Sequence, residues 1–163
     1  MSKPVTINPK MDFVIERFID APKALVWDAL TKPEHMKEWY MPKVWGRVES
    51  AELELRAGGI IRIDIATGDG RAVPNVGCVL DVVPQERLVW TSMLFPDYRP
   101  ATFDDIPITA IMTMETVGSG TRYVFTALHR DEADFEKDKT SGWAEGTTIA
   151  VDQFVAHVMS MKK

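Results

Sequence analysis

From Trp143 to Val158 uncharged side chains recur every three or four residues, at Trp143, Thr147, Ala150, Val151, Phe154 and Val158, which is the spacing of one side of a helix. The pattern predicts a long helix from about Asp131 to Met161, with Glu145, Asp152 and Lys162 on its wet side. No other stretch is helical for as long, so the stripe must lie on the strands that precede it. Two features set it apart from ordinary core. Gly142 and Gly146 each cost roughly 1 kcal/mol relative to alanine inside a helix, which points to close approach of another backbone or to a break. The stripe is also uneven in volume, because Thr147 and Ala150 lie between the large Trp143 and Phe154.

Upstream the period changes from helical to alternating. Phe13, Ile15 and Ile19 share one face of a first strand with Arg17, whose stem is expected to pack while its guanidinium reaches a strand end. Asp20 is placed to cap a helix with Pro22 in its first turn, followed by Ala24, Leu25, Trp27, Ala29 and Leu30 as its buried side. Pro33 starts a second short helix through Trp39, and the aromatic stretch Trp39 to Trp45 reads as a loop anchored on the core.

Strands are then predicted at Ala51–Leu55, around Ile61, Ile63 and Ile65, at Val76–Val83 and at Leu88–Phe95. Thr67–Gly70 forms a hairpin turn. Pro96–Pro107 is a longer connection holding Asp97, Asp104 and Asp105. Ile108, Ala110, Met112 and Met114 form a sixth strand, and after Gly118–Gly120 the chain returns through Tyr123, Phe125 and Ala127. The expectation is an α+β domain over 11–163, after a loose lead-in at 1–10. Its curved antiparallel sheet of six to seven strands wraps a long C-terminal helix, with two short helices after the first strand.

Composition narrows the function. A formal charge of −5 without any basic run argues against nucleic-acid binding, which needs a basic surface. The single Cys78, in an apolar strand, permits no internal disulfide and suits a reducing compartment. No apolar run is long enough to insert in a membrane, and the first dozen residues lack the apolar middle of a signal peptide, so a cytoplasmic location is expected. His35, His129 and His157 fall in three different elements, no ligand spacing suggests a metal, and no Gly-rich phosphate loop suggests a nucleotide. The expected cofactor complement is therefore none, and no catalytic constellation is visible.

Several stretches together resemble a known family. Asp20-Ala-Pro-Lys-Ala-Leu-Val-Trp27, Pro33-Glu-His-Met-Lys-Glu-Trp39, Gly58-Gly59, Pro84-Gln-Glu-Arg-Leu-Val-Trp-Thr91 and Gly118-Ser-Gly-Thr-Arg122 resemble, in order and spacing, the bacterial relatives of the activator of the ninety-kilodalton heat-shock-protein ATPase, in the START-like or SRPBCC superfamily. The resemblance implies a helix-grip fold with an apolar cavity between sheet and helix. Superfamily members include lipid carriers and polyketide cyclases, so the fold alone does not fix function. The chain departs from the family at Trp39-Tyr40-Met41-Pro42, where two tryptophans and Gly-Pro are usual, and at Thr147, where a second aromatic is usual.

The leading expectation is a non-catalytic binding protein for a small apolar or aromatic molecule, monomeric or homodimeric. Its cavity would be lined by Trp39, Ile63, Trp90, Ser92, Met112, Met114, Phe125, Trp143, Thr147, Ala150 and Phe154. The strand parities place Trp90, Met112, Phe125, Trp143 and Phe154 on one shared interior, and Thr147 is expected to border open space. One alternative is a cyclase-like enzyme in which Arg17, Ser92, Thr147 and Gln153 orient the substrate. The other is a chaperone partner that uses its surface.

Overall fold

A computed structural model of the protein describes residues 5–102 and 105–162. The first strand, β1 (Asp12–Ile19), leads into α1 (Lys23–Thr31) and α2 (Pro33–Trp39). Six more strands build the rest of the main sheet: β2 (Gly46–Leu53), β3 (Ile60–Thr67), β4 (Ala72–Val83), β5 (Arg87–Thr91), β8 (Ile108–Val117) and β9 (Gly120–His129). Between β5 and β8 lie two short strands, β6 (Leu94–Phe95) and β7 (Arg99–Pro100), which form a separate ribbon. Two helices, α3 (Glu132–Ser141) and α4 (Trp143–Met161), end the chain. The main sheet is curved, with strand order β1-β9-β8-β5-β4-β3-β2 and every neighbour antiparallel.

Alternation decides which face is gripped. Register aligns Ile15, Phe125, Met112, Leu88 and Val82 in one row, and Phe13, Ala127, Ala110, Trp90 and Val79 in the next. These rows line the inner face, and Ile61, Ile63 and Ile65 continue it on β3. Phe154 of α4 is fully buried against it, with its ring 5.0 Å from Tyr123 of β9 and 4.9 Å from Trp39 of α2. Burying a side chain of this kind stabilises the fold by roughly 1.5–3 kcal/mol, so the aromatic contact is a main anchor of α4.

The expected long helix is two helices. Gly142 adopts φ +91°, which side-chain-bearing residues rarely reach, and ends α3 there. The strongly polar α3 docks through few groups: Asp131 caps it by accepting from the Asp134 N–H at 2.8 Å, and Asp138 lies 2.6 Å from His129 Nε2. His129 Nδ1 meets the Met11 carbonyl at 2.8 Å, so one buried ring joins β9, α3 and the residue before β1.

Other boundaries also moved. Asp20 does not cap α1, whose N-cap is Pro22; instead the Lys162 ammonium donates to the Asp20 carbonyl at 2.6 Å, tying the end of α4 to the end of β1. The strand expected at Ala51–Leu55 spans Gly46–Leu53, with a bulge between Val48 and Ser50. The strand expected to reach Phe95 stops at Thr91, where Thr91 and Ser92 hydroxyls donate to the Ile108 carbonyl. Asp105 is exposed in the connection that follows, whereas Asp104 and residues 1–4 of the lead-in lie outside the described residues. Cys78 is fully buried. Among the described residues no helix is long and apolar enough to cross a membrane.

Candidate functional site

Side-chain burial along the inner face is uneven, and the gradient has a direction. At the end reached by the C-terminal half of α4, Tyr123, Leu88, Met112, Met114, Phe154 and Val158 are buried and fill the space. In the other direction Phe125, Trp90, Phe13 and Val73 pack against this core but remain only partly buried. The side chains between them are small, with Ala110 and Ala127 on the sheet and Ala150 and Thr147 on α4. Meanwhile α4 has its nearest backbone neighbours in α1, α2, α3 and β1, so the middle strands are reached mainly by long side chains. The half-open aromatic end is the candidate site.

A strap closes one side of it. After Trp39 the chain runs through Tyr40 to Trp45 across α4, and Gln153 holds that run with its whole amide. Its Nε2 donates to the Trp39 and Met41 carbonyls, both at 2.9 Å, and its Oε1 accepts from the Lys43 N–H at 3.0 Å. The Trp45 ring then lies on Gly146, where any Cβ would overlap it. Gly146 is thus explained by close approach, but of an indole instead of a backbone. The Trp45 carbonyl also accepts from the Gly68 N–H at 3.0 Å, joining the strap to the β3–β4 hairpin.

The chemistry of Gln153 gives an expected result. Gln153→Ala removes three hydrogen bonds and should destabilise the protein by roughly 1–3 kcal/mol. Gln153→Glu should be worse although it is closer in shape, because a carboxylate would face two carbonyl oxygens with no proton to donate. Equilibrium denaturation of the two variants gives the order, and a glutamate variant more stable than the alanine variant contradicts this clamp.

The polar groups expected to orient a substrate do not converge. The Arg17 guanidinium pairs with Asp152 at 3.0 Å on the rim, correcting the expectation that it reaches a strand end. The Ser92 hydroxyl bonds the Ile108 N–H and carbonyl, Thr147 donates to the Trp143 carbonyl at 2.9 Å, and Gln153 is committed to the strap. Burial holds the Tyr123 phenol far above its ordinary range, so it stays protonated and is no base. Among the described residues no group of three or more His, Cys, Asp or Glu is arranged to hold a metal ion. Two of the three histidines do meet, however: His35 Nδ1 of α2 lies 2.9 Å from His157 Nε2 of α4.

Of the residues expected to line a cavity, Trp39, Ile63, Ser92, Met112, Met114, Ala150 and Phe154 are buried, and Trp90, Phe125 and Thr147 are partly buried. Trp143 is the correction. It is 48% exposed, because the turn at Gly142 makes it the first residue of α4 and puts it outside the gripped region, so it does not share the interior of the others. Two open grooves, of about 390 and 650 Å³, are lined by β2 and β3 and by the strap with the β3–β4 hairpin respectively, and neither is lined by Trp90, Phe125 or Phe154. The sequence placed Phe13 on a strand face and Trp45 in an anchored loop but assigned neither to the site, and it gave Gln153 to a substrate instead of to the strap. Only the Gly146 anomaly hinted at Trp45.

A seven-stranded antiparallel sheet curved against a C-terminal helix, with two short helices after its first strand, is the helix-grip arrangement of START-like proteins. The family model described as "Activator of Hsp90 ATPase homolog 1-like protein" matches residues 20–159, and the chain belongs to that family. A crystal structure of a protein from Nitrosomonas europaea is 32% identical with a TM-score of 0.88, covering 94% of this chain and 97% of that one. The solution structure of a protein from Arthrobacter aurescens is 22% identical with a TM-score of 0.79, covering 93% and 87% of the two chains. That of an AHSA1-like protein from Aeromonas hydrophila is 18% identical with a TM-score of 0.69, covering 92% and 93%. The last two share the fold. No curated protein matches the chain.

Proposed function

We propose that this protein is a non-catalytic carrier or sensor of a small apolar or aromatic molecule, working in the cytoplasm. The molecule enters between sheet and α4 at the end marked by Trp90, Phe125, Thr147 and Ala150. The observation that carries the reading is the burial gradient. Large aromatic side chains on the inner face stay half-open at one end of a grip whose other end is fully filled. The polar side chains nearby are taken up by backbone groups, which suits retention of an apolar guest more than orientation of a reacting one. Sites of this type usually enclose ~300–1,000 Å³, so a small guest fits only if the strap or the half-open side chains give way.

A second reading is a chaperone partner that uses its surface. The filled end around Phe154 favours it, as do the exposed Val44 and Trp45 of the strap and the exposed Trp143.

An apolar fluorescent probe separates the two. It should bind the native protein at one site, quench Trp emission through Trp90, and raise the melting temperature, with ~2.7 kcal/mol of stabilisation at a hundredfold excess over Kd. Ala150→Phe should abolish all three effects at an overpacking cost of about 1–3 kcal/mol. Binding that survives this substitution, or that needs partial unfolding, transfers the weight to the surface reading.

A further inference from the structure

Three positions of α4, Gly146, Gln153 and His157, are spaced by seven and four residues and therefore share one side of the helix. All three hold the same continuous stretch of chain: His157 meets His35 of α2, Gln153 meets the backbone of Trp39, Met41 and Lys43, and Gly146 receives the Trp45 ring. The α2 helix and the strap are thus fastened to α4 along a single line, whose last fastening is the imidazole pair.

That pair differs from the other two in kind. A hydrogen bond between two imidazoles needs one N–H and one bare nitrogen; a single added proton still leaves an N–H⁺···N bond, and only protonation of both rings replaces it with two facing cations. The ring centroids lie 5.0 Å apart, so two such charges repel each other until the rings turn apart, and either way the fastening between α2 and α4 is lost. From α2, His35 and Glu38 face His157, and from the strap Lys43 does; on α4 itself no charged side chain lies between Asp152 and Lys162.

We propose that His35 and His157 form a proton-sensitive latch, which holds α2 and the strap on α4 at neutral pH and on acidification releases the Trp45 side of the half-open end of the grip. Burial, and then the neighbouring His35, hold the His157 pKa below the ordinary value of 6.5, with Lys43 acting the same way and Glu38 against it. The sign follows. The closed state rejects a proton that the open state accepts, so closure is at full strength above the ordinary value and weakens as pH falls below it. As the gate of a binding groove the latch rests on the function proposed above; as a fastening between α2, strap and α4 it does not.

Hydrogen exchange read by mass spectrometry tests it on the ligand-free chain. Protection of residues 40–46, corrected for the intrinsic pH dependence of exchange and compared with residues 110–126, should fall about tenfold between about pH 7.5 and about pH 5.5. In His157→Gln, which keeps a hydrogen-bonding group but takes no proton, the fall should be less than about twofold, and His35→Gln is the parallel variant should that one not fold. A wild-type strap whose protection changes no more than that of residues 110–126, or a folded glutamine variant that keeps the full change, overturns the latch. An apolar probe added to the same samples should enter faster at the lower pH. A strap that opens on acidification while no probe binds at either pH leaves the latch standing and overturns the binding function.

Discussion

Replacing Phe154 with alanine should cost about 3–5 kcal/mol, the range for deleting a fully buried aromatic side chain from a core that cannot collapse into the space. The site leaves little room for relaxation: Phe154 is 0% exposed, and its ring is wedged between those of Trp39 and Tyr123. Trp39 is itself held by a hydrogen bond from its indole N–H to the Ala29 carbonyl at 2.8 Å, so it cannot swing in to fill the hole. The loss should appear as a melting midpoint lower by roughly 10 °C. Phe154→Leu, which keeps most of the volume, should cost less than half as much. Equal losses for the two variants would mean that the aromatic contacts, and not the filled volume, hold α4 in the grip.

The second large effect is expected at α3. Asp138→Ala should destabilise the protein by about 3–5 kcal/mol, because it leaves His129 Nε2 without a partner where the imidazole side chain has no exposed surface. Asp138→Asn should cost only about 1 kcal/mol, since an amide N–H can still reach that nitrogen while His129 Nδ1–H donates to the Met11 carbonyl. Denaturant unfolding of the pair checks this. Two variants as stable as the wild type would contradict the contact as an anchor of α3, and two equally large losses would mean that the carboxylate itself, and not a hydrogen-bonding group, is required.

The alternation of Ile61, Ile63 and Ile65, of Met112 and Met114, and of Tyr123 and Phe125 was enough to read the gripped face from the chain, because a strand's side-chain period of two leaves no other register. The stripe on α4 was legible for the same kind of reason. What failed were the ends. Gly142 sits in a stretch whose helical period continues across it, and only its positive φ reveals the turn that exposes Trp143. The edge strand β2 was read short because the bulge between Val48 and Ser50 puts two exposed polar residues, Glu49 and Ser50, in succession and breaks the alternation.

The candidate site was half legible. Residues of strands and helix stripes could be placed by parity, but the strap depends on contacts between segments over a hundred residues apart. Gln153 with Lys43 and His157 with His35 are of this kind. No local periodicity encodes such pairs. The one local trace was Gly146, a costly glycine in a good helix, and the cost is explained by the indole it admits.

That a small apolar molecule occupies the half-open end of the grip is tested most directly by a native mass spectrum of the protein purified gently from its own cells, beside that of Ala150→Phe prepared in the same way. The wild type should carry an adduct of one small molecule per chain, lost on denaturation, and the substituted protein should run at its bare mass. Bare mass for both, or the same adduct on both, would contradict binding at the half-open end of the grip.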